Sequence, residues 1–198
     1  MLKSSFSSGK IEAGCDEAGR GPLAGPVVAS AVILPEGYVN PFLNDSKKLT
    51  KKVLERLEIE IKRDALAWEV VEVSHTEIDE INILNASFIA MHRAVDKLKI
   101  KPELLLIDGN RFKPYTGISH ECIIKGDGKY MSIAAASILA KTHRDRFMTK
   151  AALQYPGYGW ETNAGYPTKK HRDAIRLLGI TPLHRKSFRL LPEQTELF

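Results

Sequence analysis

Apolar and polar positions along the chain follow two different periods, and the changes of period divide it into elements. Residues 11–15 and 27–34 are short, nearly continuous apolar runs and read as two buried strands. The breaker-rich stretch between them, Gly19-Arg20-Gly21-Pro22-Leu23-Ala24-Gly25-Pro26, makes a hairpin-like start. Asp45-Ser46 then offers a helix cap ahead of 47–63, where Leu49, Val53, Leu57 and Ile61 recur every four positions. Residues 67–73 mix β-branched and charged side chains as a half-exposed strand does. Residues 78–98 carry Ile81, Leu84, Phe88, Met91, Val95 and Leu98 at helical spacing. Residues 104–107 are a short apolar strand running into Asp108-Gly109, and 121–124 another running into Lys125-Gly126-Asp127. A helix follows over 132–150, whose Ala134-Ala135-Ala136-Ser137 stretch is small enough for close packing on a sheet. The remainder is loop-rich until a short helix over 168–178.

Length and composition narrow the classes. A chain of 198 residues can bury a full core, and its composition carries no bias toward disorder or a disulfide scaffold. The longest apolar run, 27–34, is far short of a membrane span, and residues 1–10 lack a signal-peptide core, so the expectation is a cytoplasmic protein without a membrane partner. Cys15 and Cys122 lie inside apolar runs, which argues against a disulfide or a thiolate metal site. The net charge is +5, and residues 163–189 hold seven Lys and Arg against the single acid Asp173, leaving the rest of the chain near neutral. A basic end on a neutral body suits a polyanion such as a nucleic acid backbone; a solvated helix face accounts for the charge equally well.

Four acids stand at or just beyond the ends of apolar strands: Asp16, Glu17, Asp108 and Asp127. Sites in open α/β sheets form at strand ends. Carboxylates gathered there repel unless a cation neutralises them, and oxygen ligands without His or Cys favour Mg²⁺ or Mn²⁺. Any one such Asp more commonly caps a helix or forms a turn, but four in compatible positions point to phosphoryl transfer. Gly19-Arg20-Gly21 lets the backbone approach a ligand while Arg20 supplies a phosphate fork, although a tight turn uses the same glycines. His143 and His171 are expected to be surface or packing residues, and Trp68 and Trp160 to be core or loop anchors.

These residues sit in segments with a family resemblance. Residues 14–26, Asn44-Asp-Ser-Lys-Lys-Leu49, Ile107-Asp-Gly-Asn110, Lys125-Gly-Asp127, the run 134–145, Gly165-Tyr-Pro-Thr168 and His184-Arg-Lys-Ser-Phe188 together resemble bacterial type 2 ribonuclease H, ribonuclease HII. The resemblance is ordered and covers about 11–188. It implies an α/β fold, a ribonuclease H-like mixed five-stranded sheet flanked by helices with a helical C-terminal extension. It implies one domain over 1–198, with a sheet-and-helix core over about 11–150, a basic portion over 151–189 and a tail over 190–198. The family's four catalytic, metal-holding acids fall on Asp16, Glu17, Asp108 and Asp127, the four that strand ends also select.

The activity implied is two-metal endonucleolytic cleavage of the RNA strand of RNA–DNA hybrids, and of DNA duplexes with embedded single ribonucleotides. The cut lies 5′ of the ribonucleotide and leaves 3′-hydroxyl and 5′-phosphate ends, with Mn²⁺ or Mg²⁺ as cofactor and a monomer as the working form. By the same resemblance Gly19, Arg20 and Gly21 read the 2′-hydroxyl, Tyr166 packs on the adjacent sugar, and Lys47, Lys141 and Arg144 contact phosphates, with Lys141 equally able to pair with Asp145. Residues 194–198 resemble the peptide by which bacterial replication and repair proteins dock on the sliding clamp, with Leu197 and Phe198 filling an apolar pocket and Gln194 fixing orientation. Packing of the same residues on the protein's own surface is the alternative. Two rival readings remain: a non-catalytic hybrid-binding protein, which gives no reason for clustered acids, and a phosphohydrolase of small esters, which has no use for a groove lined by Arg20, Lys47 and Tyr166.

Overall fold

The apolar segment Val27–Ile33 is buried along its whole length and forms β2 of a five-stranded sheet. The computed structural model describes residues 2–192, apart from the side chain of Lys47. The other strands are β1 (Glu12–Ala18), β3 (Ala67–Val73), β4 (Leu104–Asp108) and β5 (Ser119–Ile123), and the sheet order is β3-β2-β1-β4-β5. β1 and β2 form the antiparallel hairpin expected from the turn residues, and β3 pairs antiparallel with β2. β4 runs parallel to β1 and β5 parallel to β4, so the sheet is mixed.

Helices α1 (Lys51–Asp64) and α4 (Met131–Gln154) cover one face; α2 (His75–Ile81) and α3 (Ile83–Lys97) cover the other. Strand side chains alternate between faces. Ala13 and Cys15 of β1 with Val27, Ala29, Ala31 and Ile33 of β2 therefore pack on Ala86, Ala90, Met91 and Ala94 of α3. Val32, pointing the other way, meets Leu54, Leu57 and Ile61 of α1 and Ala134, Ala135 and Ile138 of α4. Complete burial of a residue such as Leu57 is worth about 1.5–3 kcal/mol. The small residues of α4 let it lie directly on β1: a Cβ added to Gly14 would fall 2.2 Å from the Ser132 carbonyl carbon. The helices α5 (Trp160–Asn163) and α6 (Lys169–Leu178) pack with the end of α4 around Trp160 and Ile175, and the same cluster takes in Leu23 and Ala24 of the β1–β2 loop. The C-terminal part of the chain is thus packed on that loop.

Three local expectations are corrected. The helix expected from residue 47 begins at Lys51, after a 3₁₀ turn over Ser46–Lys48. Ser46 does not cap it, because its buried hydroxyl lies 3.0 Å from Ser137 Oγ and is held against α4. The single helix expected over 78–98 is two, divided at Asn82, whose backbone has φ 66° and whose side-chain oxygen accepts from the N–H groups of Leu84 and Asn85. The one-turn helix α5 was not expected. Among the described residues, no helix is long and apolar enough to cross a membrane.

Candidate active site

Parallel pairing brings three strand ends to one edge of the sheet. Cys15 is opposite Ile107 and Asp108 opposite Ile123, so Asp16 and Glu17, still in β1 but paired there only with β2, stand where Asp108 ends β4 and where the chain leaves β5 toward Asp127. Asp16, Glu17 and Asp108 line one cleft of about 250 Å³ together with Gly19, Arg20, Gly21, Lys141 and Tyr166. Alternation of side chains sets Asp16 on the α4 side, where Ser137 hydrogen-bonds it, and Glu17 on the opposite side.

The electrostatics are those of crowded carboxylates. Burial first, then the charges of Glu17 and Asp108, hold Asp16 well above the ordinary carboxylate range, against hydrogen bonds from Ser137 and the Glu17 N–H. Burial also raises Glu17; Arg20 Nη1, 3.2 Å from its Oε1, opposes that rise, and Asp108 adds to it. Asp127 lies beside this group rather than in the cleft: it is buried in a 3₁₀ turn over Gly126–Gly128, whose first N–H donates to Asp108 Oδ1 at 2.6 Å. Among the described residues, no three His, Cys, Asp or Glu side chains are close enough together to form a ready ligand set. The donor chemistry nevertheless fits a hard divalent cation: oxygen ligands only, mutually repelling, with Asp16 and Glu17 raised toward protonation by burial first and by neighbouring carboxylates second.

The loop beside the acids is held from beneath by two buried arginines. Arg185 is fully buried and donates to four carbonyls: Nε to Gly25 at 3.0 Å, Nη1 to Arg20 at 3.0 Å, and Nη2 to Gly19 at 2.6 Å and Pro26 at 3.1 Å. Arg144, 2% exposed, donates to Pro26 and Ala24 at 3.0 Å and to Ala164 at 2.9 Å. A trans peptide points its N–H opposite to its C=O. Carbonyls of Gly19 and Arg20 drawn inward onto Arg185 therefore turn the N–H groups of Arg20 and Gly21 outward. Gly19 has φ +97°, and a Cβ there would fall 2.1 Å from Arg144 Nε, so both backbone and packing require glycine.

Arg144 lines the cleft, and its guanidinium donates to three internal carbonyls, so the role the structure gives it is to hold the loop. The same reasoning thins the basic C-terminal stretch, since Arg185 is internal and Asp173 pairs with Lys169 at 2.8 Å and Arg176 at 3.0 Å. Lys141 lines the cleft with Nζ 3.0 Å from Asp145. Tyr166 is 46% exposed at the cleft, over Gly21, where a Cβ would stand 3.6 Å from its ring. The side chain of Lys47, and Gln194, Leu197 and Phe198, lie outside the described residues.

Tyr166 is fixed by a relay that sequence reading missed. Trp160 Nε1–H donates to His171 Nε2 at 2.9 Å, His184 Nε2 lies 3.2 Å from the same atom, and His171 Nδ1 lies 3.0 Å from the Tyr166 carbonyl. His184 Nδ1 accepts from the Thr181 N–H at 2.8 Å. Every donor meets an acceptor only if both rings are neutral, with His171 protonated on Nδ1 and His184 on Nε2. Burial lowers both, and the neighbouring His171 helps bring His184 down to about 4. His171 is thus a packing residue, as expected, and Trp160 an anchor, 1% exposed.

The sheet and the carboxylates at its parallel strand ends define the class, a ribonuclease H, which is an endonuclease. Comparison with known proteins narrows it. The model of the family Ribonuclease HII matches residues 13–191. A ribonuclease HII of Parabacteroides distasonis is 63% identical over 197 residues, which are 100% of this chain and 99% of that one. The ribonuclease H2 structure from Pyrococcus horikoshii OT3 superposes with a TM-score of 0.76 at 28% identity, over 90% of this chain and 94% of that one. The PCNA:RNase HII complex from Archaeoglobus fulgidus gives 0.74 at 28% identity, over 88% and 92%. This chain belongs to the ribonuclease HII family.

Proposed function

We propose that this endonuclease cleaves the RNA strand of RNA–DNA hybrids and nicks DNA duplexes 5′ of single embedded ribonucleotides, leaving 3′-hydroxyl and 5′-phosphate ends. The observation that carries the reading is the cleft where Asp16, Glu17 and Asp108 meet Arg20 and the outward N–H groups of the β1–β2 loop. Membership of a divalent-metal-dependent family supports a metal role, with Asp16, Glu17, Asp108 and Asp127 as the residues that would hold Mg²⁺ or Mn²⁺. Such ions, when bound, lower the pKa of a water and stabilise the charge of a leaving oxygen.

The remaining work falls to the chain. Arg20, half exposed, supplies a charged fork to a phosphate, while its Glu17 contact keeps it over the acids. The N–H groups of Arg20 and Gly21 are placed to donate to an acceptor on the sugar, which selects a 2′-hydroxyl over hydrogen. Tyr166 offers an apolar ring face to the neighbouring sugar, and Lys141 a cation to the backbone. An RNA–DNA hybrid incubated with Mg²⁺ or Mn²⁺ should be cut, cutting should stop in chelator, and added divalent ion should restore it. Cutting that persists in chelator would refute the metal assignment, and binding without any cutting would favour the hybrid-binding protein.

The tail is part of the same reading: Gln194, Leu197 and Phe198 dock on the replication sliding clamp. A solved relative that forms a complex with PCNA supports it. Deleting residues 194–198 should abolish clamp binding and leave cleavage of a free oligonucleotide intact; unchanged clamp affinity would rule it out.

A further inference from the structure

The acids line a second cavity on the other side of the sheet end. It measures about 300 Å³, and Glu17, Arg20 and Asp108 are shared between it and the cleft that holds Tyr166. Its floor is the start of α3, where Leu84, Phe88 and Met91 follow one another at helical spacing on a single face. Its rim is the chain that leaves β4, with Asn110 and Arg111, both exposed. Half-buried Leu84 and Phe88 beside two guanidiniums, Arg20 and Arg111, are chemistry for a sugar or base with its phosphate, since a ring packs on apolar side chains and the phosphate needs a fork.

Continuity gives the occupant. A strand cut over Asp108 and Glu17 must leave the acids in both directions. One direction is the Tyr166 cleft on the α4 side, and the other opens into this cavity on the α3 side. We propose that the cavity is a second nucleotide subsite, in which Arg111 binds a backbone phosphate of the scissile strand on the flank away from Tyr166 and Phe88 packs on the sugar or base. The proposal rests on the nuclease reading above. It makes the length of strand on that flank a determinant of KM.

The test uses the full chain and duplexes with one ribonucleotide, the scissile strand shortened stepwise from its 5′ end in one series and from its 3′ end in the other. Arg111→Gln, at an exposed position, should raise KM about tenfold on the full duplex, as expected for loss of one charge-assisted phosphate contact. The penalty should vanish when one flank is removed and persist when the other is. Phe88→Leu should raise KM with the same flank dependence, and a thermal melt reports whether it folds. Binding of the full duplex in chelator gives a readout independent of cleavage: the slope of log affinity against log salt should fall by about 0.9 in Arg111→Gln. Native chain that binds but does not cut would sink the nuclease reading and leave the salt slope to decide the subsite. An Arg111→Gln chain with native KM and native slope, or a penalty indifferent to both flanks, would overturn the subsite.

Discussion

Replacing Arg185 by Gln removes the four donors that hold the β1–β2 loop. The Pro26 carbonyl keeps a partner, Arg144 Nε at 3.0 Å, so the loss falls on the carbonyls of Gly19, Arg20 and Gly25. A buried acceptor left without a donor costs about 1–3 kcal/mol, and water reaching the cleft side recovers some of it, so the expected destabilisation is about 3–5 kcal/mol. For a chain of 198 residues that is a fall in Tm of roughly 6–20 °C. The native arrangement is itself a compromise: burial first, then the nearby Arg144 charge, lower Arg185 to about 9, and the seven carbonyl bonds of the two guanidiniums must outweigh this. Arg185→Lys keeps the charge but not the fork and should recover less than half the loss. Urea and thermal unfolding with the chain free of nucleic acid give the measurement. A loss below about 1 kcal/mol would refute the reasoning, because it would mean that the loop carbonyls find partners without Arg185.

Three further outcomes follow from the packing. Gly14→Ala should destabilise by several kcal/mol or prevent folding, because its Cβ would fall 2.2 Å from the α4 backbone at Ser132, which circular dichroism and melting would show; a native-like melt would contradict the close approach. His184, lowered to about 4, binds fewer protons folded than unfolded between that value and 6.5. Its contribution is therefore full above pH 6.5 and is lost as pH falls toward 4, by up to about 3 kcal/mol, and unfolding of the native chain and His184→Gln at pH 7 and pH 5 should show the pH slope reduced in the variant. Gly19→Ala should cost both stability and cleavage, since Arg144 would have to leave the carbonyls of Pro26, Ala24 and Ala164; unchanged activity would argue against the outward N–H groups.

β2 and β4 were legible as short apolar runs and β3, a mixed β-branched and charged stretch, falls on the expected residues, whereas β1 runs on to Ala18 and β5 begins at Ser119, where polar residues paired in the sheet give no apolar signal. The acids were legible because sites in open α/β sheets form at the carboxyl ends of strands, and Asp16, Glu17 and Asp108 do share a cleft. Asp127 could not be placed as closely, since a 3₁₀ turn with Lys125 at φ 56° separates it from β5. Arg144 and Arg185 read from sequence as surface cations, because charge is visible in one dimension and burial is not. The available signal was the loop itself: residues 19–26, rich in Gly and Pro, present carbonyls that no strand partner satisfies, and buried carbonyls require donors from elsewhere. The histidine relay was hidden for the same reason, since Trp160, His171 and His184 are brought together only when α5, α6 and the following loop pack. Phe88 and Met91 read only as apolar positions at helical spacing, and Met91 is core; that the start of their stripe opens beside Asp108 follows from the break at Asn82 and the place of α3 against β1.

The most direct test is cleavage of a DNA duplex containing one ribonucleotide, by the native chain and by Asp108→Asn, with Mg²⁺ or Mn²⁺. The account predicts a cut on the 5′ side of the ribonucleotide by the native chain, and a rate at least about a thousandfold lower in the variant, as loss of several kcal/mol of charge stabilisation requires, with duplex binding retained. A native chain that leaves the duplex uncut, or a variant that cuts at the native rate, would contradict it.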